Sequence, residues 1–238
     1  MNKFRDGLLR SSEQLQSHVL QLCHGRVPLH VRHLSLESRD SYAYCILVYR
    51  IGQLLCWISL LENDIRTIHY IPTVDDHYIM DILYAIHRGL ADSMPLHGQE
   101  MPLQIFSGLQ DSIGELMPVT VGDSEKGTQR CMGYPEFWKR WTVANNNEFR
   151  PWFSQIEEGL RKLSRSKNHQ LQDQSFLRVM QFQHLLIQLA IALDPKNTRV
   201  HTRARTRIET PFLTELCTCT YCMSMKPFSY SESLTCPI

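Results

Sequence analysis

The sequence lacks the short motifs that mark common catalytic sites. It has no G-x-S-x-G elbow, no Walker-type phosphate loop, no G-x-G-x-x-G after a strand and no C-x-x-C-H. Its 11 histidines are dispersed along the chain, and an isolated histidine in a helix is more often structural than catalytic. We therefore expect a protein that is not an enzyme, with no catalytic residues and no cofactor.

An excess of charge of one sign is also missing. Lysine and arginine number 25 and aspartate and glutamate 24, so the formal net charge is +1. No global electrostatic attraction to nucleic acid or to an anionic membrane follows. The first residues, MNKFRDGLLRSSEQLQ, contain no apolar signal-peptide core. We expect an intracellular protein of the nucleus or cytoplasm.

The eight cysteines do not follow the pattern of a small disulfide-rich domain. Free cysteine is among the most buried residue types, and intracellular thiols stay reduced. The sequence therefore predicts reduced, buried thiols at Cys23, Cys45, Cys56 and Cys131.

One segment, 42–61, is long and apolar enough to suggest a membrane span. Arg50 lies near its middle, and an arginine there costs about 2.5–3.5 kcal/mol on insertion scales. Gly52 and Gln53 lie beside Arg50. We favour a buried core helix over a membrane span.

The rest of the chain is organised around the apolar segment 175–193. Its apolar residues recur at helical spacing, Asp173 and Ser175 can cap its start, and Asp194-Pro195 stops it. From Leu185 onward it is apolar nearly all round, which predicts a helix that is covered on every side.

The cover of this helix points to a partner. After Pro195 few residues can pack, the best being Phe212, Leu213 and Leu216. Either residues 39–62 and 74–88 wrap the helix, or another protein covers it. We favour a protein partner on the 176–193 helix, and the predicted partner-binding residues are Leu185, Leu189, Ile191 and Leu193.

The densest aromatic block, 134–163, precedes that helix. Pro135 and Pro151 suit the first turns of two helices. Its large rings predict core, including Trp152, because each buries about 150–250 Å². The alternative is a platform on which bases stack, assisted by Lys139 and Arg140.

The remaining periodicity predicts an all-α fold, an irregular multi-helix bundle or a solenoid-like array. We expect a helical domain over 1–195, with a long exposed loop over about 117–133 that is rich in glycine and proline. Thr73 should cap a helix whose apolar stripe includes Val74 and Tyr78. The expected helices before the aromatic block span 7–24, ending before Gly25; 39–62, which Asn63-Asp64 ends or bends; 74–88, ending at Gly89; and about 103–116.

The segment 196–238 has no helical period. Its first part, 198–207, carries Arg199, Arg203, Arg205 and Arg207 and could contact phosphates by charge alone. Its second part is rich in cysteine, serine and threonine. Such a segment cannot bury enough surface to offset its ordering entropy. We expect an unstructured tail, whose composition suggests an alternative C-terminus on a shortened helical body.

Two clusters have residue types that bind metals. Asp75, His77 and Asp81 begin one helix, and the last two share a helix face. The alternative is that acidic residues there suit the positive helix end. The second cluster has one short cysteine knuckle where zinc usually needs two. We predict no metal site, with four cysteines remaining as candidates: Cys217, Cys219, Cys222 and Cys236.

The aromatic block and the following helix resemble subunit 1 of the THO complex, a family of helical mRNA-export scaffolds. The resemblance covers about 134–193, roughly a quarter of the chain. It implies a nuclear, non-enzymatic role in an assembly that couples transcription to mRNA processing. The residues that carry it are Tyr134, Phe137-Trp138, Trp152-Phe153, Glu158, Leu160, Asp173, Phe176, Arg178, Gln183 and Leu186.

These observations together predict a non-catalytic helical scaffold or adaptor subunit of a larger protein assembly, with mRNA-processing and export complexes as the candidate assemblies. Two alternatives stay open. One is a helical metal-dependent enzyme that uses the Asp75/His77/Asp81 region. The other is nucleic-acid binding through the arginine-rich 198–207 stretch.

Overall fold

Apolar residues at helical spacing fold here into an all-α structure, as predicted. The computed structural model describes residues 2–23, 42–67, 73–91, 103–121, 128–142, 148–165, 177–196, 198–199 and 207. The described residues contain seven α-helices: α1 (Asn2–Cys23), α2 (Tyr42–Thr67), α3 (Val74–Ala91), α4 (Ser107–Leu116), α5 (Tyr134–Thr142), α6 (Ser154–Arg165) and α7 (Leu177–Leu193). A 3₁₀ helix, Arg150–Phe153, leads into α6.

Five of these helices pack in a closed ring. Helix α1 packs against α2 and α7, α7 against α3, α3 against α4, and α4 against α2. The first and last helices therefore contact each other. In a solenoid each unit contacts only its chain neighbours, so the structure is the bundle and not the solenoid-like array.

Helix α1 runs antiparallel to both of its neighbours. The side chain of Arg5, near its start, donates to the carbonyl of Leu193 at the end of α7 (2.6 Å). On the other side, Lys3 lies 3.8 Å from the carboxylate of Asp64 near the end of α2. These two contacts place the C-terminal ends of α2 and α7 beside the start of α1.

Helix α2 is the apolar segment that raised the question of a membrane span. In the described part of the chain, Tyr44–Arg66 is long and apolar enough to cross a bilayer, and most of it is buried inside the structure. Arg50 is half-buried and donates to Gln14 of α1 and to Gln53 (2.8 Å). Core helices and membrane spans share this length and composition, so the core assignment stays a prediction.

The helix end predicted at Gly89 is wrong, and Asn63-Asp64, expected to end or bend its helix, does not end it. Helix α2 continues through Asn63-Asp64 to Thr67, because Asp64 pairs with Lys3 and Ile65 packs against the core. Helix α3 continues through Gly89 to Ala91, because Leu90 behind that glycine is fully buried. Burial of the next apolar residue outweighs the local signals for termination.

The start of α3 is capped as predicted. The amide of Asp76 donates to the hydroxyl oxygen of Thr73 (3.3 Å), and the amide of Thr73 donates to the carboxylate of Asp76 (3.0 Å). This is a reciprocal capping box. The expected stripe is wrong at its start, however, because Val74 and Tyr78 are exposed.

The predicted exposed loop over 117–133 contains a β-hairpin. Strands β1 (Pro118–Val121) and β2 (Thr128–Cys131) pair antiparallel, with Pro118 opposite Cys131 and Val121 opposite Thr128. Cys131 and Met132 are buried, and Tyr49 of α2 donates to the Met132 carbonyl (3.0 Å). The glycines of this segment predicted a loop, but its β-branched residues, such as Val119 and Val121, lie in strands that pair with each other.

The aromatic block forms a buried cluster, as predicted. Phe137 is its centre, with ring centroids 5.3 Å from Trp141, 5.5 Å from Phe149 and 5.6 Å from Phe153. These separations are favourable for aromatic pairs. Trp152 is the exception. It is 42 % exposed where Trp141 is 2 % exposed, because the 3₁₀ helix turns Phe153 inward and its neighbour outward.

A close approach of two backbones holds the segment before α4 onto α6. A Cβ added to Gly159 would lie 2.5 Å from the nitrogen and 2.6 Å from the Cα of Leu103. Leu103 is buried and has a φ of 65°, a conformation that leucine rarely adopts. Only glycine at position 159 allows this approach.

Replacing Trp141 by alanine should lower the free energy of unfolding by about 3–5 kcal/mol, since it removes a buried ring from the aromatic cluster. Trp152→Ala should cost no more than about 1 kcal/mol, because that side chain is largely at the surface. Urea denaturation of both variants measures the difference. Equal losses would contradict the assignment of core and surface.

The same measurement distinguishes two helical glycines. Alanine is the better helix former by about 0.5–1 kcal/mol, so Gly108→Ala should stabilise, because a Cβ added there would have no neighbour within 4 Å. Gly159→Ala should instead destabilise by about 1–3 kcal/mol, because the Leu103 backbone must move. A stabilising Gly159→Ala would show that the two backbones are not in close contact.

Candidate interaction surfaces

Helix α7, the predicted partner-binding helix, is covered by this chain. Leu185, Leu189 and Leu193 are buried, and only Ile191, at 37 % exposed, reaches the surface. The cover consists of α1 on one side and α3 on the other. The partner-binding role of these four residues stays a prediction, and the three leucines lie inside the bundle. Of the two segments considered as cover from this chain, 74–88 lies in α3 and packs against α7, whereas α1 takes the place of 39–62.

Polar side chains at both ends of α7 fix its position, and the sequence patterns did not predict them. At its start, buried Arg178 donates to the carbonyl of Leu90 in the last turn of α3 (3.3 Å). At its end, Arg5 donates to the carbonyl of Leu193. Both guanidinium groups occupy helix C-termini, where positive charge is favourable. The sequence feature that could have predicted the role of Arg178 is its position as a charged residue inside an apolar segment.

The middle of α7 carries buried amides. The amide of Gln183 donates to the side-chain oxygen of Gln16 on α1 (3.3 Å), and both side chains are fully buried. On the α3 side, Gln188 donates to the hydroxyl of Tyr78 (3.0 Å). Buried polar groups need such partners, so these bonds favour one register of α7 between its two neighbours.

The first metal candidate lies on the surface of α3. His77 and Asp81 are exposed, and the carboxylate of Asp76 is bound to Thr73. The side chain of Asp75 lies outside the described residues. Among the side chains that the structure does describe, no three residues of metal-ligating type come together. The second candidate, Cys217, Cys219, Cys222 and Cys236, lies wholly outside the described part of the chain.

Two residues of the segment after α7 are anchored to the bundle. The amides of Thr198 and Arg199 donate to the carboxylate of Asp194 (3.0 and 3.1 Å). The guanidinium of Arg199 pairs with Asp6 of α1. Arg199 is one of the four arginines considered for phosphate binding, and its charge is paired within the chain. Arg203, Arg205 and the predicted tail from 208 onward lie outside the described residues.

The aromatic cluster does not present its rings as a stacking platform. Phe137, Trp141, Phe149 and Phe153 are buried. The guanidinium of Arg150 lies over the Trp141 ring, 4.8 Å from its centroid, and pairs with Glu157 (3.3 Å). These contacts favour the core interpretation over the base-stacking one.

Four cysteines are free and buried, as the sequence predicts: Cys23, Cys45, Cys56 and Cys131. Burial raises the pKa of Cys23 to about 12. A hydrogen bond with Cys131, followed by burial, raises the pKa of Cys56. Because the thiolate is the reactive form, both groups are poor nucleophiles near neutral pH.

The first candidate surface is the outer side of α3, which we call the α3 outer face. At about 100° per residue its exposed residues fall within an arc of roughly 120°, opposite the buried Ile79, Ile82, Leu83 and Ile86. Val74 is 86 % and Tyr84 is 68 % exposed. The face consists of Val74, His77, Tyr78, Asp81, Tyr84 and Arg88.

The second candidate surface lies where α4 begins, and we call it the Phe106–Trp152 patch. Phe106 is 54 % exposed. Its amide donates to the side chain of Gln155 (3.1 Å), one turn beyond Trp152, and α4 packs against the 3₁₀ helix that carries Trp152. Two large exposed aromatic side chains therefore occupy one surface region. The close approach of Leu103 to Gly159 holds the segment that carries Phe106 against α6, the helix that follows Trp152.

No family model, curated protein or solved structure matches this chain.

Cys23 and Cys56 should resist alkylation by iodoacetamide in the folded protein at mildly alkaline pH. Their pKa values are raised, so less thiolate is present than at an exposed cysteine, and burial blocks the reagent. Peptide mass spectrometry before and after addition of denaturant measures this protection. Equal modification in the two states would contradict the buried placement.

Proposed function

We propose that this chain is a non-catalytic helical scaffold or adaptor subunit of a larger protein assembly. The observation that supports this most is the Phe106–Trp152 patch. Large aromatic side chains cost free energy when left in water, and tryptophan is enriched among the residues that dominate protein–protein binding. A packed bundle that exposes two of them in one surface region suits a protein partner.

The position of the patch favours recognition over chemistry. Phe106 directly precedes α4 and Trp152 lies in the 3₁₀ helix that leads into α6, so packed helices support both side chains. Leu103 and Ile105, on the same segment as Phe106, are buried. Preorganised side chains lose little entropy on binding, which suits a partner that supplies an apolar side chain between the two rings.

The class of assembly rests on the resemblance of 134–193 to the THO subunit 1 family. Most residues of that resemblance which the structure describes are buried, among them Phe137, Phe153 and Leu186. The resemblance therefore concerns packing positions. The assembly it implies is a nuclear one that processes or exports mRNA, and we carry this as the proposed class of partner.

A photocrosslinking amino acid placed at Phe106 or at Trp152, in cells, tests the proposal. Both positions should crosslink to the same protein. The matched control is Val121, an exposed apolar residue on β1, which should give no such adduct. The double variant Phe106→Ala/Trp152→Ala should lose that protein on purification, with a loss of about 2 kcal/mol or more in binding.

The fold of the double variant is checked by circular dichroism, which should match the original chain, and by the thermal midpoint, which should fall by no more than a few degrees. Adducts as frequent at Val121 as at the patch would contradict a specific surface. Adducts to RNA in place of protein would contradict the adaptor role and support nucleic-acid binding.

A further inference from the structure

Three residues of the α3 outer face form one straight stripe with separated charges. Asp81, Tyr84 and Arg88 are three and four residues apart, so they follow one side of the helix. Within the described chain, neither Asp81 nor Arg88 belongs to an ion pair. Arg88 suits the negative end of α3, but this does not explain an exposed tyrosine between two charges.

The charges of this stripe complement those of a second, identical stripe that runs in the opposite direction. In an antiparallel pair of identical helices, residues at equal distances from the two-fold axis face each other. An axis that passes between Tyr84 and Ala85 sets Asp81 of one copy opposite Arg88 of the other, and the same pair recurs on the far side. Ala85 has a small side chain, which leaves room for the Tyr84 rings to meet at the axis.

We propose that the α3 outer face binds the same face of a second copy of this chain, as a two-fold symmetric antiparallel helix pair. An interface of this symmetry requires one patch to complement itself. The acid and the base flank an exposed aromatic residue and satisfy that requirement. Two Asp81–Arg88 pairs fix the register, and the two Tyr84 rings supply the apolar centre.

The size of the contact sets the strength of the dimer. Helix α3 has 18 residues and is about 27 Å long at 1.5 Å per residue. A contact along one helix is small for a specific interface. The dimer is therefore weak and concentration-dependent, and salt weakens it further by screening the exposed ion pairs.

This inference uses a different surface from the Phe106–Trp152 patch and does not depend on the proposed function. A self-associating adaptor would present that patch twice, once on each copy. Loss of the dimer leaves partner binding through the patch unaffected, so the two proposals fail separately.

Sedimentation velocity of the full chain, from micromolar to millimolar concentration, tests the inference by charge reversal. Asp81→Arg sets arginine opposite Arg88, and Arg88→Asp sets aspartate opposite Asp81. Each single variant should raise the dissociation constant of the dimer by about tenfold or more, because like charges then face each other. The double variant Asp81→Arg/Arg88→Asp should restore the dimer.

Mixing the two single variants gives the sharpest outcome. Each is expected to be monomeric alone, yet together they should form a mixed dimer, since both ion pairs then join opposite charges. The matched controls are Glu148→Arg and Lys139→Asp, which reverse exposed charges away from α3. Circular dichroism should show that all variants keep the fold.

Three results would overturn the inference. The first is a chain that stays monomeric over the whole concentration range. The second is a dimer that persists in both single variants, which would place the interface elsewhere. The third is a mixture of the two single variants that does not associate although each is folded.

Discussion

Helix α7 imposes the constraint on which the rest of the bundle depends. Its residues are apolar nearly all round, so one neighbouring layer cannot remove it from water. Helices α1 and α3 cover it from two sides, and both come from the N-terminal part of the chain. The last described helix therefore completes a core whose other members come earlier in the sequence. Its burial closes the ring of helices.

Polar contacts make this burial specific. Arg178 and Arg5 bind the carbonyl groups at the ends of α3 and of α7 itself, and Gln183 bonds Gln16 across the α1–α7 interface. Apolar packing alone tolerates a helix that slides or rotates. A buried arginine or amide loses its partner when the helix slides, and this costs about 1–3 kcal/mol per group.

Because α7 is covered by α1 and α3, the proposed recognition uses other parts of the surface. An apolar helix satisfied within its own chain has little left to offer a partner. In the described part of the chain, most of the large exposed apolar side chains lie instead on α3 and around the start of α4, where they extend from packed helices. The proposed adaptor role and the proposed self-association use these two places separately, so one bundle can hold two different neighbours.

Local sequence by itself determined the helices, the Thr73 cap, the Pro195 stop, the buried thiols and the aromatic core, because each depends on spacing or residue chemistry within a few positions. Tertiary structure decided the rest. Which helix covers Leu189, whether Trp152 or Phe153 turns inward, and whether residues after Met117 pair as strands all depend on contacts between distant segments. Exposure of Phe106, Tyr84 and Asp81 depends on those contacts too. A side chain is free for binding only where folding leaves it uncovered, and periodicity along one segment does not report its neighbours.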